Sequence, residues 1–154
     1  MSLYSFTDPG SFRCSESGTI SGEFYLGVDD AFFPEERWND LVLPMASAWL
    51  HAIQNLLNGT SWRQRVRFMD GPFWADLAMT KEGVVAVKLV ESRLRGDLIR
   101  HSVEVDPSLL LQDALAMAIQ VLEECRARGW RNSDAVALAR QLREARTRQV
   151  GNIQ

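Results

Sequence analysis

From Thr19 onward the chain alternates. Ile20, Gly22, Phe24, Leu26 and Val28 fall on one side, and Ser21, Glu23 and Tyr25 on the other. That period of two predicts a half-buried strand, which Asp29-Asp30 ends. Phe33-Pro34-Glu35-Glu36 then reads as a helix entry, with acids in a first turn where the helix dipole favours them. Trp38, Leu41, Val42, Met45, Trp49, Ala52, Ile53 and Leu56 recur at helical spacing. Pro44 interrupts them. Proline removes a helical hydrogen bond and disfavours helix at Leu43, so a kink or break is expected there. The helix then runs to Leu57 and stops at Asn58-Gly59.

Three strands with legible turns follow. Trp62 to Met69 alternates, Asp70-Gly71 is a two-residue hairpin signal, and Pro72 to Thr80 returns. Such a turn pairs Phe68 with Phe73, Val66 with Ala75 and Gln64 with Leu77 on one face. On the other it pairs Arg67 with Trp74 and Arg65 with Asp76, which is chemically consistent on both sides. Lys81-Glu82-Gly83 reads as a loop with glycine in the left-handed position. It sets Val85, Val87 and Leu89 beside the apolar face and Lys88 opposite Asp76. Residues 92–97 are expected as a polar loop. Leu98 to Val105 is the last strand, with Ile99, Val103 and Val105 as its apolar positions and His101 between them.

Asp106-Pro107 opens a helix, aspartate as cap and proline first. Its apolar stripe runs from Leu110 to Cys125, and Gly129 ends it. Asn132 or Ser133 caps a final helix with Ala135, Leu138, Leu142 and Ala145 inward and a basic outer side. Residues 1–18 are expected to be irregular, with at most a short edge strand. Residues 19–148 form a single α+β domain, and 149–154 fray. The order β-α-β-β-β-β-α-α implies a two-layer sandwich, a mostly antiparallel sheet of about five strands with three helices on one face.

Composition narrows the reading. At 154 residues, 46% hydrophobic and 24% charged, the chain has the make-up of one globular domain. The net charge of -3 argues against nucleic acid as a partner. The charge is uneven, however: residues 1–40 carry eight acids against two arginines, residues 126–154 seven arginines against two acids. Such polarity can steer a charged partner. Cys14 and Cys125 lie far apart in sequence, and two free thiols suit a reducing cytosol, so a cytoplasmic location is expected. No apolar run reaches about 18 residues, so no membrane span is expected.

The charged face of the sheet is the candidate site. Arg63, Arg65 and Arg67 point the same way along one strand, with Trp74, Asp76 and Lys88 beside them. Tyr25, Glu23, Arg100 and Glu104 are expected to share that face. Arg, Trp and Tyr together have the composition of interface hot spots. Asp76 is placed to answer Arg65 and Lys88, and Arg67 to lie over Trp74 as a cation–π pair. The expectation depends on parity: the helices cover Phe68, Phe73 and Val87, and Arg65, Trp74 and Lys88 face water.

Other chemistry finds little support. The acids Asp29, Asp30, Glu35, Glu36 and Asp40 lack the spacing and glycine of a calcium loop and read as helix capping or an acidic docking patch. Two histidines without a placed cysteine pair do not suggest zinc. No glycine pattern frames a nucleophilic serine, and no glycine-rich phosphate loop is present. No catalytic, cofactor or metal residue is therefore assigned.

Two segments carry a family resemblance: Phe33-Pro34-Glu35-Glu36-Arg37-Trp38-Asn39-Asp40 ahead of the helix with Trp49, and Phe68-Met69-Asp70-Gly71-Pro72-Phe73. Together they resemble small bacterial proteins found beside polymorphic toxins, where such proteins often act as immunity proteins. The resemblance implies a non-enzymatic protein-binding domain that occludes a toxin through shape and charge complementarity. The alternatives are a small ligand-binding domain or enzyme, with a pocket between helices and sheet near His101 or Trp49, and a homo-oligomeric module using the sheet face as a self-contact.

Overall fold

The computed structural model describes residues 2–151. In chain order its elements are β1 (Leu3–Cys14), β2 (Ile20–Val28), β3 (Ala31–Phe33), β4 (Asn39–Leu41), α1 (Val42–Leu57), β5 (Arg63–Arg67), β6 (Phe73–Met79), β7 (Val85–Arg93), β8 (Gly96–Val105), α2 (Pro107–Ala127) and α3 (Ser133–Gly151). The fold is α+β, with two antiparallel sheets of four strands rather than one sheet of five. β5 to β8 form a meander. β2 anchors the other sheet, with β1 along one edge and β3 and β4 sharing the opposite edge.

Two expectations fail at this first sheet. Most of the segment expected to be irregular is not: Leu3–Cys14 is a strand paired along β2. Nor does a helix begin at Pro34. Val28 and Ala31 pair across the Asp29-Asp30 turn, Asp29 taking a φ of 52°. The chain turns again through Glu35–Arg37, where the Trp38 N–H donates to the Glu35 carbonyl. Asn39–Leu41 then returns to β2. The free edge of β2 needs partners for its backbone groups, and that pairing takes precedence over the weak helix-start signal of two acids.

α1 therefore starts at Val42. Pro44 is its third residue, where an N–H would have no intrahelical acceptor, so the proline neither kinks nor breaks it. α1 is the hub of the molecule. It buries Val42, Leu43, Met45, Ala46, Trp49, Leu50, Ala52, Ile53 and Leu56 and touches strands of both sheets and the other two helices. The three helices thus do not lie together on one sheet face: α2 packs on β1 and α1, and α3 on α1 and α2. The inner faces of the two sheets meet in an aromatic seam, Phe33 lying edge-on to Phe68 at 5.7 Å and to Phe73 at 5.6 Å.

The second sheet has the expected register. Val66 faces Ala75, Arg65 faces Asp76, Arg67 faces Trp74 and Lys88 faces Asp76. Gly71 and Gly83 adopt the left-handed φ values of 72° and 80° that their turns require. Two details differ. The expected loop 92–97 is strand up to a two-residue turn at Leu94-Arg95. The pairing also shifts between Leu89/His101 and Val90/Ile99, leaving Arg100 as a bulge. An extra residue reverses side-chain parity beyond it, so Ile99 leaves the core face and joins Val90 on the outer one.

Helix caps follow their chemistry. Asp106 accepts from the N–H groups of Ser108 and Leu109 at 2.8 and 3.2 Å. Asn132, not Ser133, caps α3, accepting from Ala135 N–H at 2.8 Å and donating to the Gly18 carbonyl. α3 runs to Gly151, into the segment expected to fray, and 152–154 lie outside the described residues.

Asp113 fastens α2 to β1. Its Oδ2 accepts from the N–H and hydroxyl of Ser5 at 2.8 and 2.6 Å. Burial raises its pKa, although both Ser5 bonds pull it down. The folded state then holds the proton at pH values where the unfolded chain has lost it. This group's contribution to stability is fully present in acid and falls as pH rises from the ordinary carboxyl value through the raised one. Asp113→Asn keeps an acceptor for Ser5 and removes the charge. Urea unfolding from about pH 4 to about pH 8 should show a flatter pH profile for the variant and no loss of stability near neutrality. A profile parallel to the parent's would refute this.

Candidate functional site

The outer face of β5–β8 carries most of the residues singled out from the sequence; α1 packs on β5 and β6 from the other side, where Val66, Ala75 and Leu77 join the core cluster. Its pairs are displaced from those expected. Arg63 grips Asp76 with two nitrogens, Nε to Oδ1 at 2.8 Å and Nη2 to Oδ2 at 3.2 Å. The Arg65 guanidinium, not that of Arg67, lies over Trp74, 3.8 Å from the ring centroid. Each arginine thus reaches diagonally, one pair nearer the β5–β6 turn than the residue opposite it. Long side chains span that diagonal. The displacement leaves Arg67 with no ion pair and no ring among the described residues, and Lys88 with no ion pair, since Arg63 has taken Asp76.

Trp74 and Asp76 are correspondingly buried, at 7% and 8% exposure. Trp74 and the facing Val90 are buried yet lie outside the main core cluster. The bulge at Arg100 extends this small outer cluster by Ile99. Arg100 itself does not join this face as expected: it donates to Glu91 at 3.0 Å, and Glu91, which also pairs with Arg93, faces Phe73 on the core side. The Arg93 hydrogen bond, with both arginine charges, holds Glu91 below the usual carboxylate range.

Tyr25 and Glu23 are not on this face. They belong to β2, in the other sheet. Tyr25 stacks on Phe6 at 5.1 Å and meets the edge of Phe32 at 5.6 Å, and Phe6 meets the edge of Tyr4 at 4.8 Å. These rings make an aromatic patch on the outer face of β1–β3. Gly27 sits beneath it, where a Cβ would lie 2.4 Å from the Tyr4 ring. Burial, then Glu23 and Glu36, raises the Tyr25 pKa.

The strand pair β7–β8 projects beyond its sheet. β6 starts at Phe73, opposite Glu91, and the Ser92 N–H still donates to the Pro72 carbonyl at 2.7 Å, so the overhang is the Arg93–Gly96 pair and its turn. Every residue from Ser92 to Arg100 is exposed. Leu98 at 39% exposure, Ile99 at 52% and Leu94 at the tip sit among Arg93, Arg95 and Arg100. The residue pattern alone hides this feature, because 92–97 reads as a loop and Ile99 as core.

Of the residues named as a pocket, Trp49 is packed in the core and His101 lies edge-on to Phe33 at 6.3 Å. Burial, then the Arg100 charge, lowers the His101 pKa. Both cysteines are free, and burial pushes the Cys125 thiol up to about 11. Among the described residues no cluster of three or more His, Cys, Asp or Glu is placed to hold a metal ion, and no helix is long and apolar enough to cross a membrane. A concavity of about 400 Å3 opens between α2 and α3, lined by Leu122, Trp130, Ala135, Ala139 and two arginines, Arg126 and Arg131. Comparison with family models, with curated proteins and with solved structures finds no match.

Proposed function

We propose that the chain is a non-enzymatic protein-binding domain that docks through the overhanging β7–β8 hairpin and the adjoining outer face of β5–β8. The observation that carries this reading is the hairpin itself. An ordered strand pair holds Leu94, Leu98 and Ile99 in water among three arginines, with Arg67 and Lys88 on the same sheet. Apolar anchors with arginine have the composition of binding hot spots. Glu91 answers Arg93 and Arg100, so Arg95, Arg67 and Lys88, which form no ion pair among the described residues, are the charges that select an acidic surface and speed its capture. A pre-formed hairpin also loses little conformational freedom on docking. The resemblance of residues 33–40 and 68–73 to proteins found beside polymorphic toxins makes such a toxin the partner class to try first. Inhibition would come from covering the toxin.

A photo-reactive amino acid at Leu98 should cross-link the partner in the cell of origin, and one at Lys81, at the far end of the sheet, should not. With that partner purified, Leu94→Asp combined with Arg95→Glu should weaken binding by about 100-fold and leave the thermal midpoint nearly unchanged, since both side chains are exposed at the turn. Unchanged affinity would remove the hairpin from the interface. A Leu98 cross-link from the chain to its own copy would replace this reading with self-association.

A further inference from the structure

The groove between α2 and α3 has a chemistry of its own. The two helices meet over short side chains, Ala135 and Ala139 of α3 facing Leu122 of α2, and a hollow of about 400 Å3 stays open above them. Val136 adds an exposed apolar wall. A second hollow of about 160 Å3 shares Leu122, Arg126 and Ala139 and continues along the helices to Arg143 and Arg146. The whole valley is apolar at the base and cationic at the rim. Arg126, Arg131, Arg143 and Arg146 form no ion pair among the described residues. Glu124 is held by Arg128 at 2.7 Å, and Glu123 is the one carboxylate in the residues lining either hollow.

We infer that this groove binds a small amphipathic organic anion, an aliphatic or aryl carboxylate or sulfonate. Its apolar body lies on Leu122, Ala135 and Ala139, and its acid group lies between Arg126 and Arg131. The volume falls in the range of small-molecule sites, which are mostly apolar with a few placed polar groups. Guanidinium groups match planar oxyanions with paired, charge-assisted hydrogen bonds. The connection from Arg128 to Asn132 joins the helices at one end of the valley, and Trp130 stands there. That end admits the terminus of a ligand, whereas a helix running through would meet the connection. α2 and α3 pack mainly on each other, α1 and β1, so the groove is separate from the β7–β8 hairpin and does not depend on the docking role proposed for it.

The probe is 8-anilinonaphthalene-1-sulfonate titrated into the full chain, with emission as the readout. Saturable binding at one site per chain is expected. Arg126→Glu and Arg131→Glu should each weaken it by about ten-fold, with an unchanged far-ultraviolet circular dichroism spectrum. Dodecanoate should displace the probe, and dodecylamine at equal concentration should not. Trp130→Phe should remove most of the tryptophan quenching that accompanies binding. Probe emission indifferent to both arginine variants would overturn the inference, as would equal displacement by dodecylamine. Tighter competition by an acidic Leu/Glu amphipathic peptide than by dodecanoate would overturn it in favour of a protein segment as occupant.

Discussion

Asp40→Ala is expected to cost about 3 kcal/mol or more of folding stability, although Asp40 makes no ion pair among the described residues. Its carboxylate is 3% exposed and works as a junction of three hydrogen bonds. Oδ1 accepts from the Leu41 N–H at 2.7 Å. Oδ2 accepts from Trp38 Nε1 at 3.1 Å and from the Asp70 N–H at 3.3 Å. Those donors sit at the entry to α1, on the ring that meets Phe73, and in the β5–β6 turn. One side chain therefore ties β4 of the first sheet to a turn of the second. Alanine leaves three donors without an acceptor, each costing about 1–3 kcal/mol when it stays dry. Water can reach half-buried Trp38 and exposed Asp70 and reduces that sum. Asp40→Asn keeps one acceptor oxygen and points an amide N–H2 at donors, so it should fall between alanine and the parent. Urea unfolding of the three proteins checks the order. An alanine variant within about 1 kcal/mol of the parent would show that the junction is not structural.

Asp40 also marks the limit of what the chain discloses before its fold is known. It read as one of five acids near a helix start, because the junction joins segments 30 residues apart. The β5–β7 pairing was legible to the residue, since the Asp-Gly signal centres the reversal and both faces of the pairing agree, although the connection itself spans residues 69–72 and is closed by the Phe68 N–H donating to the Phe73 carbonyl. β1 was hidden for a physical reason. Its outward positions Tyr4 and Phe6 are as apolar as its inward Leu3 and Phe12, and the bulge between Asp8 and Arg13 resets the alternation midway. With β1, β3 and β4 unread, a second sheet could not be inferred, and Tyr25 was assigned to the wrong face.

The candidate site was legible as a list and not as an arrangement. Arg63, Arg65, Arg67, Trp74, Asp76 and Lys88 do share one face. Register gives the residue directly opposite each arginine and not the diagonal one it reaches, which depends on side-chain length and sheet twist. A bulge changes parity without any signature in the residues around Arg100. That is why the outward shift of Ile99, and with it the exposed hairpin, was missed. The α2–α3 groove depends on two short alanines at a helix contact. Alternation and stripe patterns record which residues are apolar and not how closely they pack.

The five tryptophans show how far chemistry depends on position, and Trp49→Ala should have the largest effect of any of them. Trp49 is 1% exposed, midway along the helix that both sheets and both other helices touch. Truncating such a residue removes its transfer energy and leaves a cavity that rigid neighbours cannot close, together about 3–5 kcal/mol. Trp49→Phe should cost distinctly less than that, because an aromatic ring still fills most of the space. The Trp49 Nε1 is buried with no hydrogen-bond partner among the described residues, and both variants remove that donor, so the difference between them is one of volume. Trp62, at 68% exposure, anchors nothing, and its alanine variant should stay within about 0.5 kcal/mol of the parent. Trp74→Ala belongs between them, because its ring is buried by the outer-face cluster and by Arg65 rather than by the core. It should also free Arg65 and change partner binding, which Trp49→Phe should not. Equilibrium unfolding of the four variants gives the order. A Trp62→Ala loss as large as that of Trp49→Ala would show that the Trp62 ring has a burying partner.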